Sequence, residues 1–454
     1  MSEVIAAIST APFAGGIGVI RISGDEAIEV ADRVFRSCDG VRLSEIGGYR
    51  AKFGHVYDEN EKIDQCVATV FRAPHSYTGE NVVELSCHGG VFIVWAVLQA
   101  VLKSGASPAQ AGEFTKRAFL NGKMDLTAAE SVMNIISAQG EAMARASLGA
   151  LEGNLYKKIK EVLSSLLDCS ATMAAWVDYP DEEIPELEEN ELSQTLESAA
   201  QKLKKLIDGY SQGQAIIEGI ETAIVGRPNA GKSTLMNLLA GKEKSIVTSI
   251  PGTTRDVVEE TVRLGNLVLR LSDTAGLRQS DDTVEAIGVQ RAYNMIEKAQ
   301  LIFAVFDSSV SLCDEDKKLI EMCKGRPCVG IINKSDLPTQ ADVEYIRSML
   351  ENTVFISAHD DSSLDTLVAV TEKIVGTDTF SPNEPLIANA RQKNCCTAAY
   401  DLIVQAKQAL DDMMTYDAIN VLIDCAVDEL LDLTGEKATD AVVERVFENF
   451  CVGK

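Results

Sequence analysis

The sequence predicts an α/β-plus-α chain: an N-terminal α+β domain, an all-helical domain, and a doubly wound domain inserted into the helical one. Three observations predict it. A phosphate-loop pattern, G-R-P-N-A-G-K-S at Gly226–Ser233, stands between the short apolar run Thr222–Val225 and the helix-compatible run Thr234–Leu239. Strand and helix signals alternate downstream of it, as a doubly wound sheet requires. Runs of helical apolar period flank this region on both sides, while residues 1–119 alternate short strands and turns.

The elements follow in order. Residues 1–119 carry expected strands at Val4–Ser9, Gly18–Ile22, Cys66–Phe71 and Val82–Ser86, and a buried helix over Val91–Leu102 around Trp95. The pair Gly15-Gly16 reads as a turn. Residues 120–213 form the first helical part. Thr127 and Glu130 suggest a capping box, and apolar periodicity then runs to Trp176. The acidic stretch Asp178–Glu191 reads as a solvated linker before a helix over Leu192–Tyr210. Residues 218–378 form the doubly wound domain; Ser381–Pro385 breaks the pattern, and helices resume from Leu386 in the second helical part, 383–454.

The phosphate loop needs glycines so that successive N–H groups converge on one anion at a helix N-terminus. Asn229, Ala230, Gly231, Lys232, Ser233 and Thr234 line it, with Lys232 for the outer phosphates and Ser233 for magnesium. Asp273-Thr274-Ala275-Gly276 follows the strand Leu267–Leu271. Asn333-Lys334-Ser335-Asp336 follows Cys328–Ile332, and Ser357-Ala358, beside His359, follows Val354–Ile356. Lys232, Asp273 and Asn333 are spaced by 41 and 60 residues. A carboxylate at Asp336 suits the N1–H and 2-amino donors of guanine, whereas adenine would leave it unpaired. The triphosphate is therefore GTP, and the domain is a Ras-like GTPase.

A Ras-like enzyme has Gln after D-x-x-G to orient the attacking water; Leu277 stands here instead. Glu285 is the candidate for that task, with Asp281 and Asp282 as rivals. The switch Thr248-Ser249-Ile250-Pro251-Gly252-Thr253-Thr254 offers Thr254 as a second magnesium ligand. Asn229 can hold a monovalent cation beside the phosphates, in the place an arginine finger takes elsewhere.

Composition excludes other classes. Hydrophobic residues make up 46% of 454, no apolar run reaches membrane-spanning length, and the N-terminus lacks a signal peptide's form. A soluble, cytoplasmic protein is expected. Eleven Cys without C-x-x-C and only four His argue against disulfides and structural zinc. A net charge of −26 repels nucleic acid on average, so any RNA contact needs a local basic patch or a partner.

Together the segments resemble the tRNA modification GTPase family called MnmE or TrmE, over essentially the whole chain. The carriers are A-G-G-I-G-V-I-R-I-S-G at Ala14–Gly24, S-Y-T-G-E-N-V-V-E-L-S-C-H-G-G at Ser76–Gly90, G-E-F-T-K-R-A-F-L-N-G-K-M-D-L at Gly112–Leu126, G-T-T-R-D in the switch, and F-C-V-G-K at Phe450–Lys454. The resemblance implies a homodimer formed through N-terminal domains. It implies a tetrahydrofolate site from Arg21, Glu84, Lys123 and Lys454, with Cys451 matching a family cysteine of open role. Potassium would be held by Asn229, Thr248, Ile250 and Thr253, magnesium by Ser233 and Thr254, and Glu285 would orient the water. Potassium-dependent pairing of GTPase domains would switch on hydrolysis. With the flavoprotein MnmG, also called GidA, which brings FAD, such proteins add a carboxymethylaminomethyl or aminomethyl group at C5 of the tRNA wobble uridine. The carbon comes from methylene-tetrahydrofolate. Pro12-Phe13-Ala14-Gly15 departs from the family's Pro-Gly-Arg-Gly loop. A ribosome-assembly GTPase and a GTP-switched scaffold without folate chemistry are the alternatives. The first would need a basic RNA-binding appendage, and the second would not bind folate.

Overall fold

The computed structural model describes residues 3–178, 189–242, 260–271, 295–357, 362–378, 381, 384–448 and 450–454. The chain divides into two units, one of residues 1–133, 159–197 and 398–454, the other of 134–158 and 198–397.

In the first unit the strands are β1 (Ile5–Ile8), β2 (Ile17–Ser23), β3 (Phe35–Ser37), β4 (Arg50–Asp58), β5 (Glu61–Phe71), β6 (Val82–His88) and β7 (Ser107–Pro108). They form a seven-stranded sheet of order β3-β4-β5-β6-β2-β1-β7. Every pair is antiparallel except β1 with β7. Period-2 alternation sends Ile20, Ile22, Ala68, Val70, Val83 and Leu85 to a core shared with helices α1 (Ala27–Val34) and α2 (Val91–Lys103). The alternate positions, among them Arg21, Phe53, Val67 and Glu84, fall on the other face. Helix α2 is not wholly buried as expected: Val94, Val97 and Val101 face the core, while Val91, Phe92 and Trp95 are exposed. A continuous apolar run cannot by itself tell a two-sided helix from a one-sided one.

The first unit also holds α3 (Glu113–Leu120), α14 (Tyr416–Thr434) and α15 (Asp440–Phe447), numbering helices in chain order. The periodic stretch to Trp176 is three helices, α4 (Leu126–Ile136), α5 (Glu141–Leu151) and α6 (Asn154–Asp178). The last break falls at Gly153, whose φ of +79° glycine reaches without a Cβ clash. The expected capping box is corrected. Asp125 precedes α4, and its carboxylate accepts the N–H of Thr127 at 2.8 Å and of Ala128 at 3.1 Å, so Thr127 lies inside the helix. The helix expected over Leu192–Tyr210 is α7 (Glu189–Asp208), and a separate α8 (Tyr210–Ile217) follows it. Most of the expected linker, 179–188, lies outside the described residues.

The second unit is built on β8 (Ile220–Val225), β9 (Glu260–Leu264), β10 (Leu267–Leu271), β11 (Leu301–Asp307), β12 (Cys328–Asn333) and β13 (Asn352–Ile356). Their order is β13-β12-β11-β8-β10-β9, parallel except for the β9–β10 hairpin. Helices α9 (Lys232–Lys242), α10 (Asp314–Cys323), α11 (Val343–Met349) and α12 (Ser362–Val375) accompany the strands, and α13 (Ala390–Asp411) follows them. Phe303, Val305, Val329 and Ile331 join one core, whereas Ile302, Ala304, Phe306 and Ile332 join another. The sheet is thus covered on both faces, which explains why β11 and β12 read as unbroken apolar runs.

Candidate functional sites

Of the five mutually parallel strands, β8, β11, β12 and β13 end in described loops on one edge of the sheet, the edge where doubly wound folds bind ligands. Strand β8 runs into Gly226, where a Cβ would sit 2.5 Å from the Val305 carbonyl oxygen, so only glycine passes. Asn229 adopts φ +64° and Gly231 φ +99°. The Lys232 ammonium folds back over this loop and donates to the carbonyls of Gly226 and Arg227, each at 2.8 Å. Burial pushes its pKa below the ordinary lysine value, as a cation short of counter-charge requires. Ser233 and Thr234 stand exposed in the first turn of α9.

The segment Asn333–Asp336 is tied to this loop. Buried Asn333 donates from Nδ2 to the Ala230 carbonyl at 2.9 Å. A Cβ on Gly231 would lie 1.9 Å from that same nitrogen. Ser335 N donates to Ile356 O at 3.2 Å, locking the segment to the end of β13. Asp336 is exposed, and its Oδ1 accepts from the buried Ser357 hydroxyl at 2.8 Å. One carboxylate oxygen is therefore fixed by the fold. Lys334 takes φ +59° and its ammonium reaches Asp307, a partner that motif reading passes over because Asp307 closes an apolar strand. The structure brings together Asn229 to Thr234, Asn333 to Asp336 and Ser357. Thr248 to Thr254, Asp273 to Gly276, Asp281, Asp282, Glu285, Ala358 and His359 lie outside the described residues.

A second cluster lies in the first unit. Arg21 on β2 and Glu84 on β6 are register partners, and the arginine Nε meets Glu84 Oε1 at 2.9 Å. Residues 451–454 lie beside them. Ala111 and Val452 form a β-bridge, Ser9 Oγ donates to Gly453 O at 3.1 Å, and Arg21 reaches the same oxygen at 3.5 Å. Gly453 has φ +99°, and a Cβ there would be 2.2 Å from Ile8 O. The Lys454 ammonium stands 5.7 Å from the Tyr77 ring centre, and the Arg21 guanidinium 5.3 Å from it and 5.6 Å from that of Phe114. Desolvation and the adjacent Arg21 hold the Lys454 pKa below the ordinary value, with Glu84 opposing. Lys123 donates to Pro74 O at 3.0 Å, and its side chain packs on Gly79, in the loop that carries Tyr77. Two cations face one carboxylate over aromatic rings, an arrangement fit for a flat, anionic ligand. Tyr77 and Phe114 were not singled out from sequence, although both lie inside the quoted motifs. Cys451 is a half-buried free cysteine whose carbonyl accepts from Gly112 N at 3.3 Å. Among the described residues no group of three or more His, Cys, Asp or Glu could hold a metal.

Comparison with known proteins gives the family. The model of the MnmE helical domain matches residues 126–451, and that of the GTP-binding protein TrmE N-terminus matches residues 4–123. The chain belongs to the MnmE family of tRNA modification GTPases. Proteins named tRNA modification GTPase MnmE from Alkaliphilus metalliredigens and Natranaerobius thermophilus are 38% and 39% identical to it over 459 residues. The alignments cover 100% of this chain in both cases, and 100% and 99% of the two relatives. That from Clostridioides difficile is 37% identical over 457 residues, covering all of both chains. Among solved structures, the G domain of the T. maritima FeoB iron transporter aligns at 22% identity, with a TM-score of 0.26, over 34% of this chain and 98% of its own. No helix among the described residues is long and apolar enough to cross a membrane.

Proposed function

We propose that this chain hydrolyses GTP in the modification of the tRNA wobble uridine. The observation that carries the nucleotide half is the Asn333–Ala230 hydrogen bond. It couples the base-reading segment to the phosphate loop, so both ends of one nucleotide meet a single rigid frame. Lys232 holds its charge at the loop until phosphate oxygens replace the two carbonyls, and Asp336 presents a fixed acceptor edge. An exposed hydroxyl at Ser233 fits magnesium, with Thr254 as its second ligand. Asn229 fits potassium, with Thr248, Ile250 and Thr253 completing the set, and Glu285 orients water. Potassium-dependent pairing of two GTPase domains activates hydrolysis.

The second cluster takes a tetrahydrofolate derivative, held by Arg21, Glu84, Lys123 and Lys454. Its cation excess within a chain of net charge −26 is what supports the anionic ligand. When bound, the folate supplies a one-carbon unit, while these residues bind and orient it. The domain plan is 1–119 for folate binding and dimerisation, 120–213 and 383–454 for the helical domain, and 218–378 for the GTPase. The protein acts in the cytoplasm as a homodimer with the flavoprotein MnmG, which brings FAD and most of the tRNA contact. Mass spectrometry of tRNA wobble nucleosides from a strain lacking this protein tests the reading. Loss of the C5 carboxymethylaminomethyl or aminomethyl group is expected, and an unchanged nucleoside profile would sink it.

A further inference from the structure

Asp307 closes β11 with only 8% exposure. Its Oδ2 accepts from the Lys334 ammonium at 2.5 Å, and its Oδ1 accepts from Ser309 N at 2.9 Å and Ser309 Oγ at 2.6 Å. Burial works against the charged carboxylate, but these donors, Lys334 foremost, hold its pKa below the ordinary value. The neighbouring Ser308 grips the same segment by its backbone. Its N–H donates to Asn333 O at 3.0 Å and its hydroxyl to Lys334 O at 2.9 Å. Ser308 O in turn accepts the N–H groups of Gln340 and Ala341, at 2.8 and 3.1 Å. Lys334 is a non-glycine residue at φ +59°, a conformation that persists only where surroundings over-determine it. The residues 307–309 do so, gripping its carbonyl on one side and its ammonium on the other.

We infer that Asp307 is a positioning residue for guanine-nucleotide recognition. By anchoring the Lys334 ammonium at the end of β11, it holds that lysine's stem and left-handed backbone beside the base site. This rests on the reading of Asn333 to Asp336 as the guanine site. A lysine side chain without an anchor samples many rotamers, and ordering it on binding costs affinity. Asp307 removes that cost before the nucleotide arrives. No nucleotide motif covers residue 307; the strand register, which pairs Asp307 with Asn333, puts it there.

The test is a double-mutant cycle in the full-length protein, read as affinity for a fluorescent GDP analogue. Asp307→Asn keeps the shape and removes the charge, and should weaken binding about tenfold, the scale of a hydrogen bond to a charged group. Lys334→Met should weaken it too. The double variant should bind no worse than Lys334→Met alone, because Asp307 acts through that lysine. Additive losses, or an unchanged Asp307→Asn affinity, would overturn the inference. Asp307→Glu retains the charge and should recover part of the loss; no recovery counts against it. Should Asp307→Asn fail to fold, Ser308→Ala with an unchanged melting temperature should still weaken binding by about threefold, one neutral hydrogen bond's worth, and an unchanged affinity there overturns the grip. Failure of the underlying reading looks different: Lys334→Met would bind like the wild type, and Asp336→Asn would keep its preference for guanine.

Discussion

Asp336 offers the sharpest single-residue test, because the Ser357 hydroxyl donates to one of its oxygens and so fixes how the carboxylate is presented. Asp336→Asn puts an amide in place of an acceptor-only carboxylate. Xanthine carries an oxygen where guanine carries its 2-amino group, so the amide can donate where the carboxylate would repel. The variant should lose GTP affinity and gain affinity for xanthosine triphosphate in a competition assay. A retained GTP preference would remove Asp336 from base reading. Lys454 gives a pH test in the other unit. Its folded pKa is depressed by desolvation and by Arg21, so the ammonium discharges before an ordinary lysine with pKa 10.5 would. The cation proposed to attract an anionic folate is present at lower pH and lost as pH rises through this depressed value. Affinity for 5-formyltetrahydrofolate by calorimetry should therefore fall at a pH below 10.5, and Lys454→Ala should flatten that decline. A decline that persists unchanged in Lys454→Ala assigns it to another group.

At the scale of elements, what was legible in the sequence was what local chemistry alone decides. Strand β10 falls at Leu267–Leu271 as expected, since an apolar run broken only by Arg270 lies after a glycine turn at Gly265. The phosphate loop was legible because its glycines answer to backbone geometry. Strand β4 was not. Gly54 interrupts its pattern like a turn residue, yet a Cβ there would lie 2.3 Å from Arg36 O, so the glycine marks the close approach of β3. Capping of α4 by Asp125 was missed because Thr127 and Glu130 mimic the same spacing two residues later. Phe92 and Trp95 looked buried because nothing local says which side of α2 the sheet covers. The loop between β8 and α9 yields its own prediction. Gly231→Ala forces a methyl into the Asn333 amide and strains φ +99°, breaking the hydrogen bond to Ala230. It should cost about 1–3 kcal/mol of unfolding free energy and weaken GDP binding at least about tenfold, the affinity equivalent of 1.4 kcal/mol. A variant with normal melting and normal GDP affinity would show that Asn333 is not the coupling between loop and base segment.

Across the whole molecule, the nucleotide residues and the Arg21–Glu84 cluster belong to different compact units, and that separation makes the chain's last residues testable alone. An acidic chain of net charge −26 disfavours an anionic ligand everywhere except where cations are gathered. Here the gathering depends on sequence-distant pieces. Gly112 and Ala111 hold Cys451 and Val452 by backbone hydrogen bonding, Ser9 and Arg21 hold Gly453, and only then does Lys454 stand over Tyr77. The glycine at 453 is required because Ile8 O leaves no room for a Cβ. Deleting Val452 to Lys454 removes the ammonium and also the Gly453 carbonyl that accepts from Arg21 and Ser9. Arg21 then keeps its ion pair with Glu84, which offsets its charge, and its place over the Tyr77 and Phe114 rings. Binding of 5-formyltetrahydrofolate should therefore fall by more than the loss in Lys454→Ala, at least about tenfold for a lost hydrogen bond to a charged group. GDP affinity, read in the same samples, reports whether the second unit remains intact. If the truncated protein kept full folate affinity, residues 452–454 would be a structural strap along the sheet, and the anion would have to be held by Arg21 and Lys123 without them.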